Sequence, residues 1–495
     1  MGTSGERAPI RDMLAAYAAK SVNAFHVPGH KRRAVWQDAE ADARYRPLLE
    51  WDVTELADTD DLHHPAGPIA EAQRLAAECF GAEETRFLVG GSTAGNLAMI
   101  LGTAAPGDLL IVQRNAHRSV FHGLMLAGVR AVLLPPSIDP ESGLGVIPEK
   151  AAIAEAIARY PEAKGVVLSS PNYYGMAGQL GPIADICHSA GMPLLVDEAH
   201  GPHFGFHPSF PPSAMQRGAD LAVQSAHKML SAMTMGAMLH IQGKIVNREA
   251  VRQALRMVQS SSPSFPLLAS LDLARRQLHT EGARAFEPAL EAVRKVRSRL
   301  AETRYRTLGP LKEHSAGSGG IGYDPLKLVL YEAEGRMDGF QIRDELSARG
   351  CEAEMADSRY VVLAFGVGSR PEDGDALIGA LRELSAVSER RGEQPVPRLP
   401  RGNDPGGSIG IPEPVQFGRS LGDDSERIPL ERSVGRVAAE WVIPYPPGIP
   451  ELYPGEKITE AILNRLAQWQ TLGANIQGAE DLSLRSVRVF RSNRP

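Results

Sequence analysis

The chain has 495 residues, a length that predicts about two to four domains rather than one. Hydrophobic residues make up 43% and charged residues 23%, as in an ordinary globular protein, and the net charge of −6 gives no support for nucleic acid or an anionic membrane as a partner. The three cysteines are too widely spaced for a metal or redox motif, and no apolar run is long enough to span a bilayer. Because the first residues also lack the apolar core of a signal peptide, we expect a cytoplasmic protein.

The first predicted elements are a short helix and a basic loop. Residues 9–20 begin with a proline and place apolar side chains at helical spacing, which predicts an amphipathic helix. Residues 25–33 then surround a Pro-Gly turn with histidine and basic side chains, including His30 and Lys31. Two interpretations of this loop remain: a solvated basic segment, or a positive loop close to an anionic ligand.

An irregular stretch follows at residues 51–65, which is rich in acidic residues and histidine and has no helical or strand periodicity. Such a stretch inside a compact protein is often functional. His63 and His64 are adjacent in sequence and lack the i, i+4 spacing of a helical zinc site, so we expect no metal here.

A glycine-rich turn follows the next predicted strand. The sequence predicts a helix over 68–80, a strand over 86–89 and a turn that contains Ser92, Thr93 and Ala94, after which an apolar helical run begins. Small residues at such a turn let backbone N–H groups and the helix dipole attract a phosphate. A plain strand-to-helix turn with a Ser or Thr cap explains the same residues equally well.

Strands and helices alternate from residue 86 to residue 240, which predicts a mostly parallel sheet with helices on both faces. His117 follows one of these strands and is either a hydrogen-bonded structural residue or a ring that stacks on an aromatic cofactor. The predicted elements are strands at 109–112, 131–134 and 165–168 and a helix around 153–158.

Two polar residues follow the last predicted strands of this region. Asp197 ends the apolar run 192–196, and Lys228 follows a second short apolar stretch, 219–224. Ligands of open α/β sheets bind at the carboxyl ends of strands, where both residues fall. The pair also matches the needs of pyridoxal 5′-phosphate (PLP), which a lysine holds as a Schiff base while a carboxylate keeps its pyridine nitrogen protonated. In isolation, an ordinary strand-end carboxylate and a surface lysine would be the simpler interpretation; the motifs below reverse it.

The rest of the chain predicts a smaller domain and an extension. The methionine-rich run 232–240 is best explained by core packing, and residues 266–304 predict one or two long helices. A glycine-rich stretch at 309–325 indicates a domain boundary, and residues 390–430, rich in proline, glycine and charge, predict a linker or surface excursion. The predicted elements of the smaller domain are strands at 326–331 and 360–365 and a helix at 339–349. The predicted domains are an N-terminal segment contributing to the active site and a dimer (1–70), a large cofactor domain (71–308), a small α/β domain (309–388) and a linker with a C-terminal domain (389–495).

Several motifs, in their order and spacing, resemble the Orn/Lys/Arg decarboxylases of PLP fold type I. The resemblance runs nearly end to end and is closest to the shorter bacterial members that lack an N-terminal receiver-like wing. The motifs are Phe25-His26-Val27-Pro28-Gly29-His30-Lys31, Asp52-Val53-Thr54-Glu55-Leu56, Asp60-Asp61-Leu62-His63-His64-Pro65, Asp197-Glu198-Ala199-His200-Gly201, Ser225-Ala226-His227-Lys228, Ser262-Pro263-Ser264, Glu354-Met355-Ala356-Asp357 and Pro446-Pro447-Gly448-Ile449-Pro450.

The resemblance implies the fold of the PLP-dependent transferases (aspartate aminotransferase fold type I), α/β with a mostly parallel sheet of the seven-stranded type, a small α/β domain and a C-terminal extension. It also implies a cytoplasmic enzyme that uses PLP to remove the α-carboxylate of arginine, lysine or ornithine, giving a polyamine-type amine and CO₂. A homodimer or higher even oligomer is implied, without a nucleic-acid or membrane partner.

The resemblance assigns roles by matching position. Lys228 would be the Schiff-base lysine, Asp197 the partner of the pyridine nitrogen, and Ala199 and His117 would lie on the two faces of the ring. The Cα proton would come from His227 or Lys228. The other implied cofactor residues are Ser92, Thr93, Ala94, His200, Ser225, His227 and, across a dimer interface, Ser261. The implied substrate residues are Glu354, near the distal cationic group, Asp357, and His30 and Lys31 from the basic loop.

Departures from the family pattern keep two alternatives open. Phe265 stands where tyrosine is frequent, Ala226 where threonine is, and the family tends to carry an acidic or hydroxyl residue near Arg370. Arg370 or Arg359 could clamp a substrate carboxylate that is retained, which would favour transamination, elimination or oxidation. The second alternative, a cofactor-binding regulator without activity, is disfavoured by the intact lysine and aspartate.

Overall fold

The structure is a computed structural model that describes residues 4–20, 22–33, 36–309, 320–391, 411–418, 424–444, 448–471 and 475–491. Two compact units divide the chain. The first comprises Met1–Thr103, Leu180–Glu287 and Gly366–Gly368, and the second comprises Ala104–Gln179, Pro288–Phe365 and Ser369–Pro495. Most of the predicted boundary at 309–325 and the two prolines of the last motif, Pro446 and Pro447, lie outside the described residues. The predicted four-part division remains a prediction.

Helices and strands alternate along most of the chain, which confirms the α/β class. The helices are α1 (Pro9–Ala18), α2 (Ala39–Leu49), α3 (Pro68–Phe80), α4 (Gly91–Thr103), α5 (Arg118–Ala127), α6 (Lys150–Arg159), α7 (Gly181–Ser189), α8 (Ala226–Met229), α9 (Arg248–Val258), α10 (Phe265–Glu281), α11 (Glu287–Arg299), α12 (Gly339–Ser347), α13 (Pro371–Arg391) and α14 (Glu460–Thr471). The strands are β1 (Glu84–Leu88), β2 (Leu109–Gln113), β3 (Arg130–Leu134), β4 (Val166–Ser169), β5 (Met176–Ala177), β6 (Leu194–Asp197), β7 (Leu221–Gln224), β8 (Ala237–Ile241), β9 (Tyr305–Thr307), β10 (Gly322–Tyr323), β11 (Lys327–Glu332), β12 (Met355–Ala356), β13 (Val361–Ala364), β14 (Val415–Gln416), β15 (Ser425–Pro429), β16 (Ile443–Pro444), β17 (Ile476–Gln477) and β18 (Ser486–Phe490). Of the helices in these described ranges, none has the length and apolar character needed to cross a membrane.

In the first unit, four strands lie in the order β1-β8-β7-β6. β6 and β7 are parallel, whereas β8 is antiparallel to both β7 and β1. Every residue of β6, β7 and β8 is buried, which explains why these strands read as continuous apolar runs rather than alternating ones. Helix α4 packs closely on this layer, because a Cβ on Gly95 would lie 2.7 Å from Val223 and one on Gly102 would lie 2.7 Å from Val251 of α9.

The second unit contains four more strands in the order β4-β2-β3-β14, with β2 parallel to both of its neighbours. A separate antiparallel sheet has the order β12-β13-β11-β9, with α12 beside it. Toward the C-terminus, β15 and β18 pair over a small apolar core that includes Val442, Leu466 and Val489.

Several predicted elements are confirmed, and others differ for identifiable reasons. The helix predicted over 68–80 has these bounds, and the run 266–304 forms two helices, α10 and α11, as predicted. Core packing explains Met238, which is buried in β8, but that prediction is wrong for Met233 and Met235, which are 43% and 54% exposed. The predicted linker contains β14, which pairs with β3, because Val415 and Gln416 satisfy the free edge of that strand.

Candidate active site

The carboxyl ends of β6 and β7 lie side by side and carry Asp197 and Lys228. Asp197 is the last residue of β6 and pairs with Val223 of β7. Beyond the strands, the amide N of Ser225 donates to the carbonyl O of Ala199 at 3.3 Å, which keeps the two loops adjacent. Lys228 then lies in the short helix α8. Parallel pairing therefore brings both predicted residues to one edge of the sheet, where open α/β sheets bind ligands.

Helix α4 contacts both loops through side chains that lie one turn apart. Ser92 Oγ lies 2.6 Å from Ser225 Oγ, and Asn96 Nδ2 donates to Asp197 Oδ2 at 2.8 Å. Positions i and i+4 of a helix share one face, so one face of α4 reaches both strand ends. The hydroxyl pair and the carboxylate are thus held by the same rigid element.

Asp197 is a buried carboxylate, with 5% of its surface exposed. Burial raises the pKa of Asp197, while the charge of Lys228 and hydrogen bonds from Asn96 and the Ala199 amide lower it. The Ala199 amide donates to Oδ1 at 3.2 Å. Because burial outweighs these three contributions, the ionised carboxylate would be stabilised by one more cationic donor. A protonated pyridine nitrogen is such a donor, and this site therefore fits PLP.

The side-chain amine of Lys228 lies beside an imidazole: Nζ is 2.9 Å from His200 Nε2. His200 is buried, whereas Lys228 is partly exposed. A lysine nucleophile must be neutral, and a histidine nitrogen at this distance can accept or return its proton. The structure thus places His200, which the resemblance assigned only to cofactor binding, beside the amine of Lys228.

His227, the other predicted proton donor, is tied to the loop before β8. Its Nδ1 and its amide N both lie 3.1 Å from the carbonyl O of Gly236. The next carbonyl back, that of Met235, accepts from the amide N of Gly91 at 3.0 Å. The carbonyls of Met235 and Gly236 therefore connect the start of α4 to α8. The predicted phosphate role of His227 remains a prediction.

The start of α4 offers donors for a phosphate. The Ser92 and Ser225 hydroxyls meet there, at the N-terminus of a 13-residue helix whose free amides and dipole attract anions. Ala94 is buried in the first turn, and Thr93 is exposed beside it. These phosphate donors, the amine of Lys228 and the accepting carboxylate of Asp197 together match the three functional ends of PLP.

Three further predicted residues lie in loops of the same unit. Ser261 is exposed between α9 and α10, and its predicted contact across a dimer interface remains a prediction. His30 Nε2 lies 3.0 Å from Asp52 Oδ2, and Lys31 Nζ donates to the carbonyl O of His26 at 2.5 Å. The basic loop is therefore held by its own neighbours in the structure.

His117 and Glu354 belong to the second unit. His117 is the N-cap of α5, and its Nδ1 lies 2.8 Å from Ser119 Oγ. Glu354 is exposed, and its charge raises the pKa of Lys327, a buried lysine whose pKa is lowered mainly by burial. Glu354, the carboxylate predicted to contact the distal cationic group of the substrate, thus already lies near Lys327 of the same chain.

Asp357, also in the second unit, has both carboxylate oxygens engaged. Oδ1 accepts from the amides of Arg359 and Tyr360 at 2.6 and 2.7 Å, and Oδ2 accepts from the hydroxyl of Tyr174 at 2.5 Å. Burial raises the pKa of Asp357, and the Tyr174 hydrogen bond opposes this. Arg359 lies over the ring of Tyr360, at 4.9 Å from its centroid. These contacts hold the turn, and a role for Asp357 toward substrate remains a prediction.

Asn96 is the site residue that sequence reasoning missed. A buried asparagine within an apolar helical run was the available signal, since a buried amide needs hydrogen-bond partners. Its position one turn after Ser92 could have placed it on the same face. Which strand end it meets depends on the packing of α4, which no local pattern shows.

The family model described as "Orn/Lys/Arg decarboxylase, major domain" matches residues 8–317, and the model of the C-terminal domain of the same family matches residues 416–480. The chain belongs to the Orn/Lys/Arg decarboxylase family. The predicted resemblance is therefore confirmed, and with it the prediction of an enzyme, an amino-acid decarboxylase.

Individual relatives of this decarboxylase-family chain match over nearly its whole length. The uncharacterized protein YaaO of Bacillus subtilis (strain 168) is 38% identical, covering 97% of this chain and 98% of its own. An arginine decarboxylase of Bacillus anthracis is 33% identical, covering 98% of both. Lysine decarboxylase A from Pseudomonas aeruginosa shares the fold with a TM-score of 0.80 at 21% identity, over 99% of this chain and 81% of that one.

An aminotransferase matches more distantly. The ureidoglycine-glyoxylate aminotransferase of Bacillus subtilis has a TM-score of 0.52 at 16% identity, over 66% of this chain and 86% of that one. Together with the lysine decarboxylase structures, this match confirms the predicted aminotransferase-type fold of the decarboxylase-family chain.

Proposed function

We propose that the chain catalyses PLP-dependent α-decarboxylation of a basic L-amino acid, namely arginine, lysine or ornithine, to the corresponding amine and CO₂. The observation that carries the proposal is the arrangement within the first unit of an amine beside an imidazole, a buried carboxylate and a hydroxyl pair at a helix N-terminus. Membership of the Orn/Lys/Arg decarboxylase family supports the reaction. Relatives named arginine decarboxylase and lysine decarboxylase support the class of substrate.

The proposed cofactor contacts follow from the chemistry of each group. Lys228 would hold the cofactor aldehyde, Asp197 the ring nitrogen, and Ser92 and Ser225 the phosphate. Bound PLP supplies an electron sink that accepts the electrons of the bond between the substrate Cα and its carboxylate. Asn96 keeps Asp197 in place for this contact through its 2.8 Å hydrogen bond.

The chain itself must then deliver a proton to the substrate Cα. Lys228 Nζ and His200 Nε2 are 2.9 Å apart, so a proton could be held on either nitrogen and passed between them whenever Nζ is not bonded to the cofactor. Burial of His200 limits exchange with bulk water. We infer that this pair, rather than a single group, holds and delivers the proton that the substrate Cα receives.

For the substrate, we propose that Glu354 attracts the distal cationic group and that His30 and Lys31 approach the α-carboxylate end. The exposed position of Glu354 leaves its carboxylate accessible. We further propose that the enzyme is a homodimer or higher even oligomer, in which Ser261 of one subunit reaches the cofactor phosphate of the next. Size-exclusion chromatography with light scattering tests the assembly.

The activity is tested with purified protein, PLP and a panel of arginine, lysine and ornithine. We expect trapped CO₂ and the matching amine from one of the three, and no release from any of them would overturn the proposal. A keto acid product with the carboxylate retained would instead favour the alternative reactions at Arg359 or Arg370. Lys228→Ala should abolish both activity and the visible absorbance of the lysine-bound cofactor, whereas Lys164→Ala, at an exposed lysine, should leave both unchanged.

A further inference from the structure

A cavity of about 350 Å³ lies in the first unit, and its lining residues include none of the groups that we propose contact PLP. The loop after Leu62, helix α3, strand β1 and helix α9 form its walls. Its polar side chains come from Arg86, Arg252, Arg256, Gln73, Gln259 and the histidines of that loop. No aspartate or glutamate is among its lining residues in the described part of the chain.

The two glutamines present donors to this cavity. Gln73 Oε1 accepts from the amide N of Phe87, and Gln259 Oε1 accepts from the amide N of Val89, both at 2.9 Å. Because each side-chain oxygen is used by the backbone of the β1 segment, the NH₂ group is what each glutamine has left for a ligand. These backbone hydrogen bonds therefore orient both side-chain amides so that their NH₂ groups can act as donors.

The three arginines are only partly neutralised. Glu84 binds both Arg86 and Arg252, and Glu249 binds both Arg252 and Arg256, so two carboxylates face three guanidinium groups. Burial raises the pKa of Glu84, but hydrogen bonds from Arg252 and Arg86 hold this pKa below its ordinary value. Arg86 contacts Glu84 through Nε, and Arg256 contacts Glu249 through one Nη, which leaves further N–H groups on both for a ligand.

We propose that this cavity binds a small polyvalent oxyanion, a carboxylate- or phosphate-bearing metabolite, as an effector. Guanidinium and amide donors around a cavity whose described lining includes no carboxylate match an anion with several oxygens. The volume is at the lower end of the range of small-molecule sites, which suits a compact ligand.

The cavity is connected to the proposed cofactor site through Gln259. This residue holds Val89, which directly precedes the Gly90-Gly91-Ser92 turn, and it directly precedes Ser260 and Ser261 in the chain. His63 Nε2 also lies 3.0 Å from the carbonyl O of Ser260. A bound anion that orders Gln259 would order both segments, and we infer that it tightens PLP binding. This second step rests on the proposed function, whereas the anion site does not.

The site is tested by isothermal titration of the PLP-loaded protein with citrate and with inorganic pyrophosphate, at constant ionic strength, with chloride as the control. We expect saturable binding below about 1 mM for one of them, and which one binds identifies carboxylate or phosphate chemistry. Gln259→Glu keeps the acceptor for Val89 but replaces the donor with a negative oxygen, and should weaken binding at least tenfold. Arg256→Gln should act in the same direction.

Arg248→Gln is the matched control, because Arg248 lies on the same helix and contacts Glu83 and Gly243 rather than the cavity. It should bind like the unmodified protein. Binding of neither anion, or equal loss in Arg256→Gln and Arg248→Gln, would overturn the site.

The effector role has a separate measurement. PLP affinity, followed by absorbance titration, should tighten about two- to tenfold when the anion is present, and Gln259→Glu should cancel the change. Anion binding with unchanged PLP affinity would overturn the effector role and leave the site standing. A protein that binds the anion but never binds PLP would refute the proposed function instead.

Discussion

Asn96 Nδ2 donates to Asp197 Oδ2 across 2.8 Å, and both side chains are buried. The amide of Asn96 comes from helix α4, whereas the carboxylate ends strand β6. The helix that we propose binds the cofactor phosphate therefore also orients the carboxylate proposed for the ring nitrogen. Under this proposal one helix would position both ends of the ligand, so a change on α4 should affect both contacts.

The first prediction concerns this hydrogen bond. Asn96→Ala removes a contribution that lowers the pKa of Asp197, while the burial that raises the pKa stays. A hydrogen bond to a charged group contributes about 1.5–3 kcal/mol, so we expect PLP affinity to fall about tenfold or more. Absorbance titration with PLP measures the loss.

Asn247→Ala serves as the control for this change. Asn247 caps α9 by accepting from the amide N of Ala250, so its loss should cost about 1 kcal/mol of stability without changing PLP affinity. Equal PLP affinities of Asn96→Ala and the unmodified protein would refute a positioning role for Asn96.

Local patterns predicted the elements that carry the site. The apolar run before Asp197 and the short run before Ser225 are buried strands, because a strand covered on both faces needs apolar residues at every position. Strand ends could therefore be placed from sequence, and with them Asp197 and Lys228. Family motifs added the roles that the residues alone left undecided.

Contacts between distant parts of the chain could not be predicted in this way. The bond between Tyr174 and Asp357 joins residues 183 positions apart, and nothing in either local sequence marks it. The 2.9 Å approach of His200 to Lys228 likewise depends on the pairing of β6 with β7. The exposure of Met233 was not predicted, because methionine counts as apolar in a sequence pattern whether its loop directs the side chain toward the core or toward solvent.

A buried chain of hydrogen bonds crosses the strands of the first unit. Gln224 Nε2 donates to Glu198 Oε2 at 2.8 Å, so Gln224 Oε1 accepts from His240 Nε2 at 3.1 Å. In the neutral imidazole, His240 Nδ1 then accepts from the Thr85 hydroxyl at 2.8 Å. The contact with Gln224 therefore places the proton of the neutral ring on Nε2.

The second prediction is the pH dependence that follows from this imidazole. Burial lowers the pKa of His240 from 6.5 to about 3. Between these values the unfolded chain binds a proton that the folded chain does not, so stability falls as the pH falls, by at most about 1.4 kcal/mol per pH unit. Urea unfolding from pH 7 to pH 4.5 should therefore show that the unmodified protein loses more stability, or gains less, than His240→Gln as the pH falls.

The exposed His64 provides the comparison, since 73% of its side chain is accessible. His64→Gln should leave the slope unchanged. The neighbouring Glu198 changes stability with pH in the opposite direction. Burial raises its pKa to about 8, so its contribution to stability is lost as the pH rises from about 4.5 toward 8. An acid slope that persists in His240→Gln would show that other groups control it.

The third prediction concerns the backbone of Met235, which has a φ of +76°. Non-glycine residues adopt this region at a cost of about 1–3 kcal/mol, and here its carbonyl is held by the amide of Gly91. Because the side chain is 54% exposed and glycine adopts this region without steric strain, Met235→Gly should leave stability unchanged or raise it, whereas the β-branched Met235→Val should lose about 1–2 kcal/mol. Chemical denaturation measures both, and equal stabilities of the two variants would contradict the argument.

The last prediction concerns Arg114, whose guanidinium is tied to the C-terminal part of the second unit. It binds both carboxylate oxygens of Glu456 at 2.8–2.9 Å, donates to the carbonyl O of Pro450 at 2.8 Å, and lies 4.7 Å from the ring centroid of Tyr453. Both charged side chains are largely buried, with 18% and 14% exposed. The segment that follows Arg114 leads directly to His117, so this anchor fixes the start of the loop for which the sequence analysis predicts a cofactor contact.

Arg114→Met should therefore destabilise the protein by about 3–5 kcal/mol, because Glu456 would be left as an uncompensated buried charge. Arg114→Lys keeps the charge but loses the planar fork, and should fall between Arg114→Met and the unmodified protein. Arg465→Ala breaks a more exposed pair with Glu451 and should cost less than about 1 kcal/mol. Urea unfolding and limited proteolysis give the order, and a cost for Arg114→Met no larger than that for Arg465→Ala would refute Arg114 as the anchor of this segment.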